Sequence, residues 1–257
     1  MRTALVRRTV LTASAVSLAL LATACGSEKS DTKGDAKPST GAPASSAAPA
    51  AKAKTDAELT GLLVAQADLP EYVVKPASPE ETSAGAGATS DKPECLPLVK
   101  AQAMAPVGSA AGTARVKAAA KPKEPAANAS EQEKLKAAMD ALGTTATFIT
   151  LASYEGKGAE EAAATLKGAG TACAGGYTGT QGGEGLKVEK VVPGAAVTAG
   201  DEALAYTVVG EADGEKFTME LVAVRKGNTL ATFSAWSLAG AAEQPKAVVD
   251  AQAKKLG

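Results

Sequence analysis

From Thr55 onward, apolar residues recur at helical spacing in some segments and alternate with polar residues in others. Thr55-x-x-Glu58 has the form of a capping box, in which the hydroxyl accepts from an orphan amide while the glutamate reaches back. It predicts a helix with Leu59, Leu62 and Leu63 as its stripe, ended by Leu69-Pro70. Ser130-x-x-Glu133 predicts a second helix, with Leu135, Ala138, Met139 and Leu142 on its apolar side and Gly143 as its stop. In a third, Ala159, Ala162, Ala163, Leu166, Gly170 and Cys173 share one face. That face is slim enough to lie close against a sheet. A last helix near residues 242–256 turns Val249, Ala253 and Leu256 inward.

The C-terminal half reads as strands. Residues 147–154 and 186–192 are rich in β-formers. Segments 203–210 and 216–225 follow, joined across Asp213-Gly214, a strong hairpin signal, and Lys226-Gly227-Asn228 turns the chain into 229–238. Phe217, Met219, Leu221 and Ala223 alternate with Thr218, Glu220, Val222 and Val224, which predicts one face on a core. Segments 82–92 and 117–129, the latter with Pro122 and Pro125, are expected to be mobile loops. The fold class is therefore α+β: a twisted antiparallel sheet, built on a C-terminal meander, with helices packed against it.

The N-terminus has another logic. Arg2, Arg7 and Arg8 lead into an apolar run over residues 10–24, and Leu21-Ala22-Thr23-Ala24 precedes Cys25. A basic start, a short apolar segment and small residues before a cut describe a signal peptide over residues 1–24. The cysteine in that position resembles the bacterial lipobox, although Ala22 stands where that motif usually carries Leu. The resemblance implies a diacylglyceryl group on Cys25, a palmitate-type membrane anchor on the extracytoplasmic face. Arg7-Arg8 leaves both the general and the twin-arginine export routes open. Residues 25–54 then form a linker of Ala, Ser, Pro and Lys that cannot bury enough surface to offset its ordering entropy. Residues 55–257 are long enough for a single extracytoplasmic domain with its own core.

Charge and composition narrow the chemistry. The signal holds three basic residues, and the linker five basic and three acidic. This leaves the domain 19 basic and 25 acidic residues, a net charge of −6 with no basic patch. Nucleic acid is not an expected partner. The chain has no histidine, which excludes Ser-His-Asp and Cys-His catalysis and every His-ligated metal site. Only eight aromatic residues occur: Phe148, Phe217, Phe233, Tyr72, Tyr154, Tyr177, Tyr206 and Trp236. That scarcity weighs against a polysaccharide enzyme. With Cys25 acylated, Cys95 and Cys173 remain, and two thiols in an exported domain form a disulfide.

Candidate catalytic groups reduce to structural ones. Glu160-Glu161 falls on the solvent side of its helix, Asp201-Glu202 follows Gly200 at a turn, and Glu80-Glu81 is a third acidic pair. Gly175-Gly176-Tyr177 and Gly182-Gly183 lack the lysine and the strand-to-helix setting of a phosphate loop, so turn glycine is the reading. No enzyme and no cofactor is expected.

The order of features resembles a family. Asp68-Leu69-Pro70-x-Tyr72 closes a Leu-rich helix, a cysteine follows, and a central helix ends in Cys173. Gly200-Asp201-Glu202-Ala203 then leads into a hairpin meander and a short last helix. This is similar to the extracellular sensor domains of mycobacterial serine/threonine kinases and their stand-alone actinobacterial lipoprotein relatives. Those domains tend to carry two disulfides and sit beyond a transmembrane helix, and here one disulfide and a lipid anchor are expected. The resemblance implies a twisted sheet flanked by helices, with a cleft, that binds an unidentified envelope ligand or protein partner without catalysis. A lipid or glycolipid carrier, with a cavity lined by one sheet face and the slim helix, is an alternative. A structural or assembly lipoprotein is another.

Overall fold

The computed structural model describes residues 52–212, 214–237 and 241–257. The expected signal peptide, Cys25 and the expected linker up to residue 51 lie outside them. Lys52–Lys54, which the sequence assigns to the linker, are held by the domain. Asn228 donates to the Lys52 carbonyl at 2.9 Å, the Lys54 amide donates to Ser153 Oγ at 2.9 Å, and Ala53 is buried between them in the chain.

The strands, in chain order, are β1 (Tyr72–Pro76), β2 (Thr89–Ser90), β3 (Gly112–Ala120), β4 (Ala146–Ser153), β5 (Tyr177–Gln181), β6 (Glu184–Pro193), β7 (Glu202–Ala212), β8 (Glu215–Lys226) and β9 (Thr229–Trp236). They form one sheet in the order β1-β3-β4-β9-β8-β7-β6-β5-β2, every pair antiparallel. The helices are α1 (Asp56–Leu62), α2 (Pro79–Ala84), α3 (Leu96–Gln102), α4 (Glu131–Leu142), α5 (Gly158–Ala172) and α6 (Lys246–Leu256). The expected α+β class and C-terminal meander are both present.

The sheet is a middle layer. Met219, Leu221 and Ala223 of β8 pack with Leu98 and Val99 of α3 and Ala163 and Leu166 of α5. Val222 and Val224 of the same strand pack with Leu59 of α1 and Val248 and Val249 of α6. Alternation along β8 therefore separates two cores, whereas the sequence had suggested one buried face. Between α1 and α6 the buried Gln252 acts as a clasp, accepting from the Val64 amide at 3.0 Å and donating to the Leu62 carbonyl at 2.7 Å. On the opposite face, the Cys95–Cys173 disulfide joins the turn that opens α3 to the end of α5, with Cα atoms 5.8 Å apart. The slim face of α5 serves close approach. A Cβ at Gly170 would lie 2.3 Å from the Tyr206 ring, so the glycine admits that ring against the helix.

Both expected loops need correction in part, while residues 121–129 hold no helix or strand, as expected. Residues 82–92 contain the last turn of α2, capped by Ser78 and Glu81, and then β2, which pairs with β5. Residues 117–120 are the end of β3, hydrogen-bonded to β4 and β1. Lys117 and Ala118–Ala120 carry little β-preference of their own, and pairing with β1 and β4 orders them, as pairing with β5 orders Thr89–Ser90.

The helix α4 has the expected capping box and its Gly143 C-cap. Its apolar stripe nevertheless faces outward: Leu135, Met139 and Leu142 are 64%, 63% and 56% exposed. Those side chains contribute no core. A Leu135→Lys, Met139→Lys double variant is expected to unfold in urea within about 0.5 kcal/mol of the parent. Leu166→Ala, in the disulfide-side core, is expected to lose about 2–5 kcal/mol. A large loss in the double variant would show that α4 is packed.

Candidate functional site

Helix cover on the disulfide side stops at the C-terminus of α3, and a cleft opens there over β4 and β9. Its volume is about 480 Å3, within the range of small-molecule sites. Phe148 of β4 and Trp236 of β9 form the floor. The register places Phe148 opposite Ser234 and Ala146 opposite Trp236, so the two rings are diagonal neighbours on one face. A smaller hollow of about 150 Å3 shares Trp236 and continues to Phe217 of β8, whose ring centroid is 5.1 Å from that of Trp236. Three of the chain's eight aromatic residues thus run across adjacent strands at one place.

One wall is α2, with Glu80, Glu81 and Ala84, and the other is the tip of the β5–β6 hairpin, with Gln181, Gly182 and Glu184. Gly182 and Gly183 have φ of +58° and +88°, the left-handed pair that a two-residue hairpin turn requires. The walls are tied together, because the Gly182 amide donates to the Ala84 carbonyl at 3.1 Å. The back is the end of α3. There Met104 adopts φ +56°, a conformation normally left to glycine, and the Ala105 amide reaches back to the Lys100 carbonyl at 2.9 Å. Arg115 of β3 holds this turn by donating Nε–H to the Met104 carbonyl at 2.5 Å.

Most polar groups here are already occupied. The Trp236 indole N–H donates to Ser234 Oγ at 2.6 Å, and Ser234 donates on to Met219 Sδ at 3.2 Å. Buried Gln102 donates to the Tyr177 hydroxyl and accepts from Gln181 at 3.3 Å. Burial pushes the Tyr177 phenol well above its ordinary pKa of 10.0. Lys117 of β3 pairs with Glu81 at 2.5 Å. Burial would raise the Glu81 pKa, but Lys117 and the Ser78 amide outweigh it and hold the carboxyl below its ordinary 4.5.

A further hollow of about 280 Å3 lies between β1, the end of α4 and residues 241–245. Tyr72 is its one aromatic ring and small or polar residues dominate it, so the β4–β9 cleft is the stronger candidate.

The residues singled out from the sequence have other places. Cys25 lies outside the described residues. Cys95 and Cys173 are buried in the disulfide-side core. Glu160 and Glu161 project to solvent from α5. Asp201 accepts from the Gly227 amide at 2.7 Å and pairs with Arg225 at 3.3 Å, which is a turn role. Gly176, with φ +84°, reverses the chain after α5 into β5. Only Glu80 and Glu81 among the acidic pairs reach the cleft. Phe148, Phe217 and Trp236 had no sequence signal as a group, since 69 residues separate the first two and only strand register brings them together.

No family model matches the chain, and no curated protein sequence matches it. Among solved structures, the chain is similar to the extracellular domain of PknH from Mycobacterium tuberculosis. The identity is 10% and the TM-score 0.45, over 80% of this chain and 97% of that one. No residue role is transferred from it.

The lowered pKa of Glu81 has a consequence at the cleft. Its ion pair contributes stability that is fully present above the unfolded carboxyl pKa and is lost as pH falls through the lower, folded one. On acidification below about pH 4.5, the ordinary value, α2 is expected to loosen and Trp236 emission to shift to the red. Lys117→Met should abolish that step. An unchanged step in the variant would remove the pair as its cause.

Proposed function

We propose that this chain is a membrane-anchored, extracytoplasmic binding domain, without catalysis, that takes a small ligand in the cleft between α2 and the β5–β6 hairpin. One observation carries the reading. A domain poor in aromatic residues places Phe148, Phe217 and Trp236 together, half-exposed, at an open concavity with a polar rim. Large rings left uncovered at a concave site are the usual means of holding a small molecule. The buried disulfide suits an oxidising compartment, and the lipobox at Cys25 supplies the anchor in this reading. Among the described residues no helix is long and apolar enough to cross a membrane.

The lipid-carrier alternative receives less support. The space it needs between the slim helix and the sheet is filled by Leu166 and Ala163 against Met219 and Leu221, and by Tyr206 at Gly170. Binding to a protein is the second reading. It is favoured by the outward Leu135, Met139 and Leu142 of α4, an apolar stripe suited to an apolar groove on another protein.

The test is native mass spectrometry of the full chain after incubation with the small-molecule fraction of envelope extracts. A retained adduct is expected, lost in Ala84→Phe, which narrows the cleft, at unchanged melting temperature. An adduct that survives this variant places binding elsewhere. No retained mass contradicts the ligand reading.

A further inference from the structure

We infer that the ligand of this cleft is a small organic cation, an ammonium group carrying an apolar body. The inference rests on the reading of the cleft as a ligand site and adds its chemical class.

Of the three lining carboxylates, Glu81 is compensated by Lys117. Glu80, on α2, and Glu184, at the start of β6, have no ion pair among the described residues, and they stand on opposite walls. No lysine or arginine lines the cleft. The nearby Arg115 donates to the Met104 carbonyl and Thr113, and its charge is opposed by that of Asp56.

Donors are scarce for the same reason. The indole N–H of Trp236 serves Ser234, the Gly182 amide serves Ala84, and Gln102 is occupied at both ends. An anion entering here would meet two uncompensated negative charges and little to bind its oxygens. A neutral apolar molecule would use the rings and leave the carboxylates unanswered. A cation with an apolar body uses both, because the face of an indole or phenyl ring attracts positive charge and the rim carries the opposite sign.

Trp236 is the only tryptophan in the chain, so its emission reads occupancy of this site directly. The full chain is titrated at fixed ionic strength with hexyltrimethylammonium, hexan-1-ol and hexanoate, which share one apolar body. A saturable change is expected with the ammonium, about tenfold weaker binding of the alcohol, and none of the carboxylate. Glu80→Gln and Glu184→Gln, both on exposed side chains, should each weaken the ammonium about threefold to fivefold and leave the alcohol unchanged. Equal binding of ammonium and alcohol, or tighter binding of hexanoate, overturns the cation assignment while the cleft remains a ligand site. If none of the three perturbs Trp236, the cleft reading itself fails.

Discussion

The central strand β8 is buried on both sides, and that constraint shapes the rest of the molecule. Met219 to Val224 all lie within the protein: Met219, Leu221 and Ala223 point to one core, Val222 and Val224 to the other, and Glu220 accepts from the Thr207 hydroxyl. An antiparallel sheet can leave one face to water, but here neither face of the middle can be left open. Helices must arrive from both directions. On one side α1 and α6 are locked together by Gln252, whose amide satisfies backbone groups that the end of α1 would otherwise leave unpaired. On the other, α3 is seven residues long and could not hold its place by its own stability. The disulfide fastens its start to α5, and closing a loop of 78 residues contributes about 4–5 kcal/mol in the chain-entropy model.

The shortness of α3 also creates the cleft. Where the helix ends at Gln102, the sheet beneath continues, and Phe148 and Trp236 are left with walls but no lid. The backbone at Met104 holds a conformation that costs a non-glycine residue about 1–2 kcal/mol. Arg115 on its carbonyl, and burial of the methionine side chain, keep it there. The same clamp that completes one core therefore fixes the back wall of the candidate site. Packing and site share their parts.

The local chemistry of this chain was legible and the long-range pairing was not. Thr55, Ser130 and Gly143 cap the helices that their motifs announce, β7 and β8 pair up to Ala212 and Glu215, and the turn at Gly227-Asn228 sits between β8 and β9 as predicted. Ser78-x-x-Glu81 carries the same capping signal and opens α2, whose last turn falls in the segment 82–92 read as loop. The strand β3, Gly-Thr-Ala-Arg-Val-Lys-Ala-Ala-Ala, is buried at every second residue, but alanine gives almost no β signal. The stripe on α4 shows the converse: periodicity identifies an amphipathic helix without saying what covers it. For the site, the low aromatic count pointed away from stacking, whereas strand register concentrates those few rings in one place.

The most direct test of the central claim, an open cleft whose floor is Trp236 and whose rim is negative, needs no ligand. Collisional quenching of the single tryptophan is measured with caesium and with iodide, each normalised to free tryptophan. The structure predicts substantial quenching by caesium and markedly weaker quenching by iodide, with the difference shrinking as inert salt screens Glu80 and Glu184. Protection from both ions would mean the cleft is closed. Stronger quenching by iodide would contradict the acidic rim.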